Sequence, residues 1–191
     1  MESDYKKYRW FFTKSGKLVY GGKSAEQNES IITQIMKGKK DCIIMHTKIP
    51  GSPFAVIASS PEKASEDDLE ETAVWTACFS RAWRNGLYKT QIDIFNAGQL
   101  NKKKNMKPGT FGVSGKINKK IARLNLVLIN QKNILRAVPE KTAKANSKIF
   151  SKIIPGKISK DDFAEYLAKK IKKTNEEILN ALPAGGFKEI K

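Results

Sequence analysis

Apolar positions along the chain change period several times, and each change marks an element. "YRWFFTKSGKLVYGG", residues 8–22, sets aromatic and β-branched side chains on both sides of Ser15-Gly16, the pattern of two strands joined as a hairpin. "KSAEQNESIITQIMKG" then places Ile31, Ile32, Ile35 and Met36 on one helical face. Ser24 is its N-cap, with Gln27 three residues on, and Gly38 its stop. "DCIIMHT" and "PFAVIAS" are short apolar runs joined through Pro50-Gly51-Ser52, which predicts two strands and a tight loop. Ser65 with Asp68 opens a second helix, and its later turns, "AVWTACFSRAW", are apolar almost all round, as in a helix buried against a sheet. After Gly86, "KTQIDIFNAGQL", "GTFGVSG" and "IARLNLVLI" predict three further strands.

The remainder reads differently. "KTAKANSKIFSKIIPGK", residues 141–157, is basic and is expected to form a short helix or loop. In "SKDDFAEYLAKKIKKTNEEILNALPAGG", Ser159 with Asp162 and Thr174 with Glu177 are capping candidates, and Phe163, Leu167, Ile171, Ile178 and Leu182 form an apolar stripe. The expectation is an α+β fold in which residues 1–130 build a mostly antiparallel sheet packed with two helices. Residues 131–191 are expected to be a basic C-terminal extension of one or two amphipathic helices. No internal repeat or heptad run is present, so the pattern specifies no oligomeric state.

Charge narrows the class of partner. Across 191 residues, 36 Lys and Arg face 19 Asp and Glu, a net of +17. Residues 1–90 hold 14 bases and 11 acids, a net of +3; residues 91–191 hold 22 and 8, a net of +14. Such a field attracts polyanions, nucleic acid ahead of anionic membrane, while a lysine-rich solvated surface is the plainer alternative. Runs such as "CIIM" and "LVLI" are far shorter than the ~20 residues of a membrane-spanning helix. The start, "MESDYKKYRWFF", has acids before its bases and is unlike a secretory leader. Cys42 and Cys78 lack CxxC spacing, which suits reduced thiols and a cytoplasmic protein.

Motifs for chemistry are sparse. "GKLVYGGKS" has five residues from Gly16 to Gly22 where a phosphate-binding Walker loop needs four, and it follows a hairpin, so nucleotide hydrolysis is excluded. Lys23 keeps the more general promise of an anion contact beside a helix start. With one histidine and two separated cysteines there is no metal motif, and a triad assembled from Ser52, His46 and Asp41 lacks a nucleophile elbow. No catalytic residue, metal or cofactor is predicted. His46 either pins the turn that follows or contacts RNA, with catalysis third. Lys102, Lys103, Lys104 and Lys107 fall in one loop, and Lys116, Lys119 and Lys120 beside the next strand, so that the seven could form one phosphate-tracking patch. Arg123 and Arg136 are secondary candidates, and Tyr88 or Phe111 could stack on bases.

Taken in order, "GKLVYGGKSAEQNESII", "DCIIMHTKIPGSPFAVI", "DLEETAVWTACFSRAW" and "GTFGVSGKIN" resemble the segments of the NFACT-R domain, over roughly Tyr8 to Asn130. None of the four is specific alone; their shared register is. The resemblance implies an RNA-binding module of the kind found in factors that bind tRNA on obstructed large ribosomal subunits, and here a stand-alone member. It also implies that Asn28, His46 and Ser52 lie in the binding region. Met45 departs from the aromatic or similarly large residue usual before that histidine. The expected partner is structured RNA, tRNA or rRNA, with the large ribosomal subunit behind it. Two rival classes stay open: an RNA-processing or RNA-modifying enzyme centred on His46, and a protein-interaction adaptor using the C-terminal helices.

Overall fold

The computed structural model describes residues 5–191; the acidic start on which the leader argument partly turns, residues 1–4, lies outside them. Strand β1 (Arg9–Phe12) pairs with β2 (Leu18–Gly21) in the expected antiparallel hairpin. Helix α1 (Ala25–Lys37) follows; Ser24 caps it by accepting from the Gln27 N–H, and the Gln27 side chain reaches back to the Lys23 N–H. β3 (Ile43–Thr47), β4 (Ala55–Ile57), β5 (Lys89–Asn96) and β8 (Asn118–Arg123) complete a six-stranded sheet in the order β1-β2-β4-β3-β5-β8, antiparallel throughout.

That sheet is covered on both faces over its centre, which is why β3 reads as a continuous apolar run. Ile44 and Val56 turn towards α1 with Ile31, Ile32, Ile35 and Phe95. Ile43, Met45, Ala55 and Ile57 turn the other way, towards helix α2 (Glu66–Cys78). The capping box predicted at Ser65 and Asp68 is formed. Beyond α2, a four-residue helix, α3 (Arg81–Arg84), leads into β5, and a two-stranded ribbon of β6 (Leu100–Asn101) and β7 (Gly112–Val113) carries the basic loop.

Where the sequence suggested one strand over 121–129, there are two. The chain leaves the first sheet at Leu124-Asn125 and enters a second of order β10-β9-β11-β12: β9 (Leu126–Gln131), β10 (Ile134–Val138), β11 (Ser151–Ile158) and β12 (Phe187–Ile190). The expected boundary between residues 130 and 131 therefore falls inside β9. Residues 131–191 contain the two anticipated helices, α4 (Lys160–Ile171) and α5 (Asn175–Ala181), together with three strands the pattern did not suggest. The basic stretch 141–157, expected as a helix or loop, supplies most of β11. The stripe Phe163, Leu167, Ile178 and Leu182 is buried in the shared core, so these side chains form no exposed docking face.

The second sheet docks beside the first through one side chain in particular. Gln131, at the end of β9, accepts from the Phe12 N–H at 2.8 Å and donates to the Phe12 carbonyl at 2.7 Å. α2 lies between the layers: its Glu71 accepts from Thr142 Oγ1 at 2.6 Å and from the Lys14 N–H at 2.9 Å. Trp75, with almost no exposed surface, packs against Phe11. Truncation of such a residue costs about 3–5 kcal/mol.

Candidate nucleic-acid interface

The end of the β1–β2 hairpin, the start of α1 and the turn after β3 converge on a cleft of ≈ 610 Å³. Asn28, 8% exposed, holds its walls together. Its Oδ1 accepts from the Gly22 N–H at 3.2 Å and the Phe54 N–H at 3.3 Å, while its Nδ2 points to the Ser52 carbonyl at 3.5 Å. A side chain at position 22 would overlap Asn28, so the backbone can approach this closely only as glycine. Ser52 Oγ accepts from the Thr47 N–H at 3.0 Å. Both residues line the cleft, but their polar groups are directed at backbone, and each positions its walls.

His46 lies on the cleft wall with its ring stacked on Phe54, centroids 4.5 Å apart, and Phe111 meets Phe54 edge-on. Its Nδ1 is 2.7 Å from the Thr47 carbonyl oxygen. A carbonyl can only accept, so Nδ1 carries the proton and Nε2 of the neutral ring remains an acceptor. Burial pushes its pKa below the usual histidine value, against smaller upward pulls from the Thr47 bond and the Asp93 charge. A neutral imidazole suits a hydroxyl or base N–H better than a phosphate.

The cations at this cleft are Arg9, Lys23, Lys48 and Arg81, with Asp93 the only carboxylate on its lining. Lys23 was anticipated; the other three were not. Lys48 could have been found, since it follows directly on the strand that carries His46 and opens the Pro50-Gly51-Ser52 turn. Arg9 and Arg81 lie far apart in sequence and meet only through the fold.

The seven lysines do not form one patch. Lys102 Nζ bonds Glu29 at 2.7 Å and the carbonyls of Lys107 and Thr110 at 2.9 and 3.0 Å, and Glu29 also accepts from the Gly109 N–H. Its charge ties the loop to α1. Lys103, Lys104 and Lys107 are exposed on that loop, and Lys116 is exposed before β8. Within β8, alternation separates the rest. His46, Asp93 and Lys119 stand opposite one another across β3, β5 and β8, so Lys119 shares the cleft's face of the sheet. Lys120 turns to the α2 side, where it lines a second hollow with Glu70, Glu71 and Lys141, and Arg123 borders that hollow too. On the cleft's side, Ile121 is 61% exposed, and at the strand's approach Tyr88 is 70% exposed. No group of His, Cys, Asp or Glu able to hold a metal occurs among the described residues, and no helix among them is long and apolar enough to cross a membrane.

Residues 7–115 match the family model described as the NFACT protein RNA binding domain. Over 82 residues the chain is 40% identical to the archaeal Rqc2 homolog aRqcH of Methanocaldococcus jannaschii, covering 43% of this chain and 12% of that protein. Over 80 residues it is 31% identical to the ribosome quality control complex subunit NEMF homolog of Drosophila melanogaster, covering 41% of this chain and 8% of that one. The chain therefore spans about a tenth of the length of these curated relatives. Among solved structures it is similar to the C-terminal part of the fibronectin/fibrinogen-binding protein from Streptococcus suis, with a TM-score of 0.50 and 27% identity over 61% of this chain and 44% of that one.

Proposed function

The chain belongs to the family of NFACT RNA-binding domains, and on that premise we propose that it binds structured RNA, tRNA or rRNA, by gripping phosphates at the cleft and along the adjoining face of β8. The observation that carries this reading is the set of four cations around one concave site with a single facing carboxylate. A phosphodiester chain supplies the missing negative charge, and backbone contacts of this kind position an RNA without reading its sequence. His46 contributes an acceptor at Nε2, placed to take a ribose 2′-hydroxyl, the group that distinguishes RNA from DNA. Exposed Tyr88 offers a flat aromatic face for an unstacked base.

The ribosome quality control setting of the relatives supports action on the large ribosomal subunit in the cytoplasm. The reading is one of binding and not of turnover: His46 is held by Thr47 and Phe54, with no nucleophile among its bonded partners. The test is titration of a tRNA and an rRNA fragment at several salt concentrations. With about six phosphate contacts, affinity falls roughly a thousandfold between 50 and 200 mM salt. Salt-independent binding, or equal affinity for a DNA of the same sequence and shape, contradicts the reading.

A further inference from the structure

Asp93 is out of place in a cleft built for phosphate. It is the one carboxylate on a lining that carries Arg9, Lys23, Lys48 and Arg81, and a negative charge there repels the ligand those cations attract. Its own surroundings do not account for it. Lys119 stands directly opposite on β8, yet among the described residues no cation forms an ion pair with Asp93. The one hydrogen bond made to the carboxylate among those residues comes from Gln91 on the same strand, whose Nε2 donates to Oδ1 at 2.9 Å.

On its other side the neighbour of Asp93 is His46. The two are directly opposed in the antiparallel pairing of β3 and β5, so their side chains leave the same face of the sheet about 5 Å apart. Both line the cleft. Nε2 of His46 is an acceptor, because Nδ1 donates to the Thr47 carbonyl. A cationic cleft therefore presents two hydrogen-bond acceptors side by side. Phe111, Val113 and Ile117, each partly exposed, line the same cleft and give an apolar surface on which a planar ring can rest.

We infer that Asp93 and His46 together select a guanosine by its sugar edge: Asp93 accepts from the 2-amino group while His46 accepts from the ribose 2′-hydroxyl. The inference rests on the RNA reading and names the nucleotide the cleft takes. Guanine alone among the four bases carries an amino donor on the edge beside the ribose. Adenine has only a C–H there, and cytosine and uracil present a carbonyl oxygen that a carboxylate repels. The 2′-hydroxyl is adjacent to that amino group, as His46 is to Asp93. One nucleotide thus satisfies the cations with its phosphate and the acceptors with its two donors. The carboxylate then becomes one end of a charge-assisted hydrogen bond.

The experiment titrates the full chain with a stem-loop RNA of A·U pairs whose one guanosine lies in the loop, and with the same RNA carrying inosine, adenosine or 2′-deoxyguanosine at that position. Inosine deletes only the 2-amino group. The wild type should bind the guanosine RNA about tenfold more tightly than the inosine or adenosine RNA, and about fivefold more tightly than the 2′-deoxyguanosine RNA. In Asp93→Ala the guanosine and inosine affinities should converge, while the preference for the 2′-hydroxyl persists. Asp93→Asn keeps the shape and an uncharged acceptor, and should retain at most about threefold preference for guanosine. That variant decides the matter if circular dichroism shows the alanine protein unfolded. Equal binding of the guanosine RNA and either the inosine or the 2′-deoxyguanosine RNA by the wild type overturns the inference and leaves the phosphate grip standing. An Asp93→Ala protein that weakens on all four RNAs by the same factor also overturns it, since the carboxylate would then be structural. A wild type that binds none of the four overturns the RNA reading itself, and this inference with it.

Discussion

Residues 1–90 carry a net charge of +3 and residues 91–191 carry +14, yet every cation that lines the cleft, Arg9, Lys23, Lys48 and Arg81, comes from the first part. The second part places many of its lysines against carboxylates. Lys102 meets Glu29, Lys141 meets Glu70, Lys152 meets Glu140, Lys170 meets Glu189 and Lys173 meets Glu177. Net charge sets the long-range field that draws a polyanion in; where it settles depends on which cations lack a partner. The richer half supplies most of the field, and the poorer half supplies the cations that line the cleft.

The sharpest way to break this comparison is to remove charge from each side. Changing Lys23, Lys48 and Arg81 together to Gln should weaken RNA binding about a hundredfold. Changing Lys169, Lys170, Lys172 and Lys173 to Ala removes one more charge but should cost no more than about threefold. Titration of one tRNA into both proteins at a single salt concentration decides the matter, and equal losses would mean that net charge alone governs binding.

A smaller effect separates lysines within the basic loop. Lys102→Ala removes the Lys102–Glu29 bond and leaves Gly109 N–H as the loop's remaining bond to Glu29, and should lower stability by about 1 kcal/mol, as judged by urea denaturation. Lys103→Ala, exposed and without such bonds, should leave stability within about 0.5 kcal/mol of the wild type. If the two behave alike, Lys102 is as available to RNA as its neighbours.

His46 gives a pH signature from the poorer half. The unfolded chain takes up a proton as pH falls through about 6.5, whereas the native ring resists until its depressed pKa is reached. Stability should therefore decline on acidification below about pH 6.5 and level off below the native pKa. His46→Asn should flatten that part of the profile, and urea midpoints at pH 7.5, 6.5 and 5.5 would reveal it.

The smallest expected effect lies in the tail. Lys173→Ala breaks the solvent-screened i,i+4 pair with Glu177 and should barely move the urea midpoint, with no detectable change in RNA affinity. A loss of affinity there would move part of the binding face onto α4 and α5.

Periodicity and capping carried the hairpin, α1, α2 and both C-terminal helices, because those signals are local. The second sheet was hidden for two physical reasons. Its first hairpin turns at Lys132-Asn133, both with positive φ, through a pair of residues that lacks the glycine by which such turns are recognised. Its third strand contains Pro155, tolerated because the register with β12 shifts there. At the candidate site, the sequence indicated Lys23, Asn28, His46 and Ser52, which the fold does bring together. It gave no sign that Lys119 and Lys120 point to opposite faces, since the strand was expected to begin only at Ile121, whereas β8 begins at Asn118.

The Gln131 side chain has one further consequence. β1 is the outermost strand of its sheet, and an unpaired strand border is a template on which a strand from another copy can add. By offering one acceptor and one donor to the main chain of Phe12, the carboxamide imitates a residue of a seventh strand and then stops. The sheet is thereby ended at Phe12 by a side chain, which offers no backbone on which a further strand could pair.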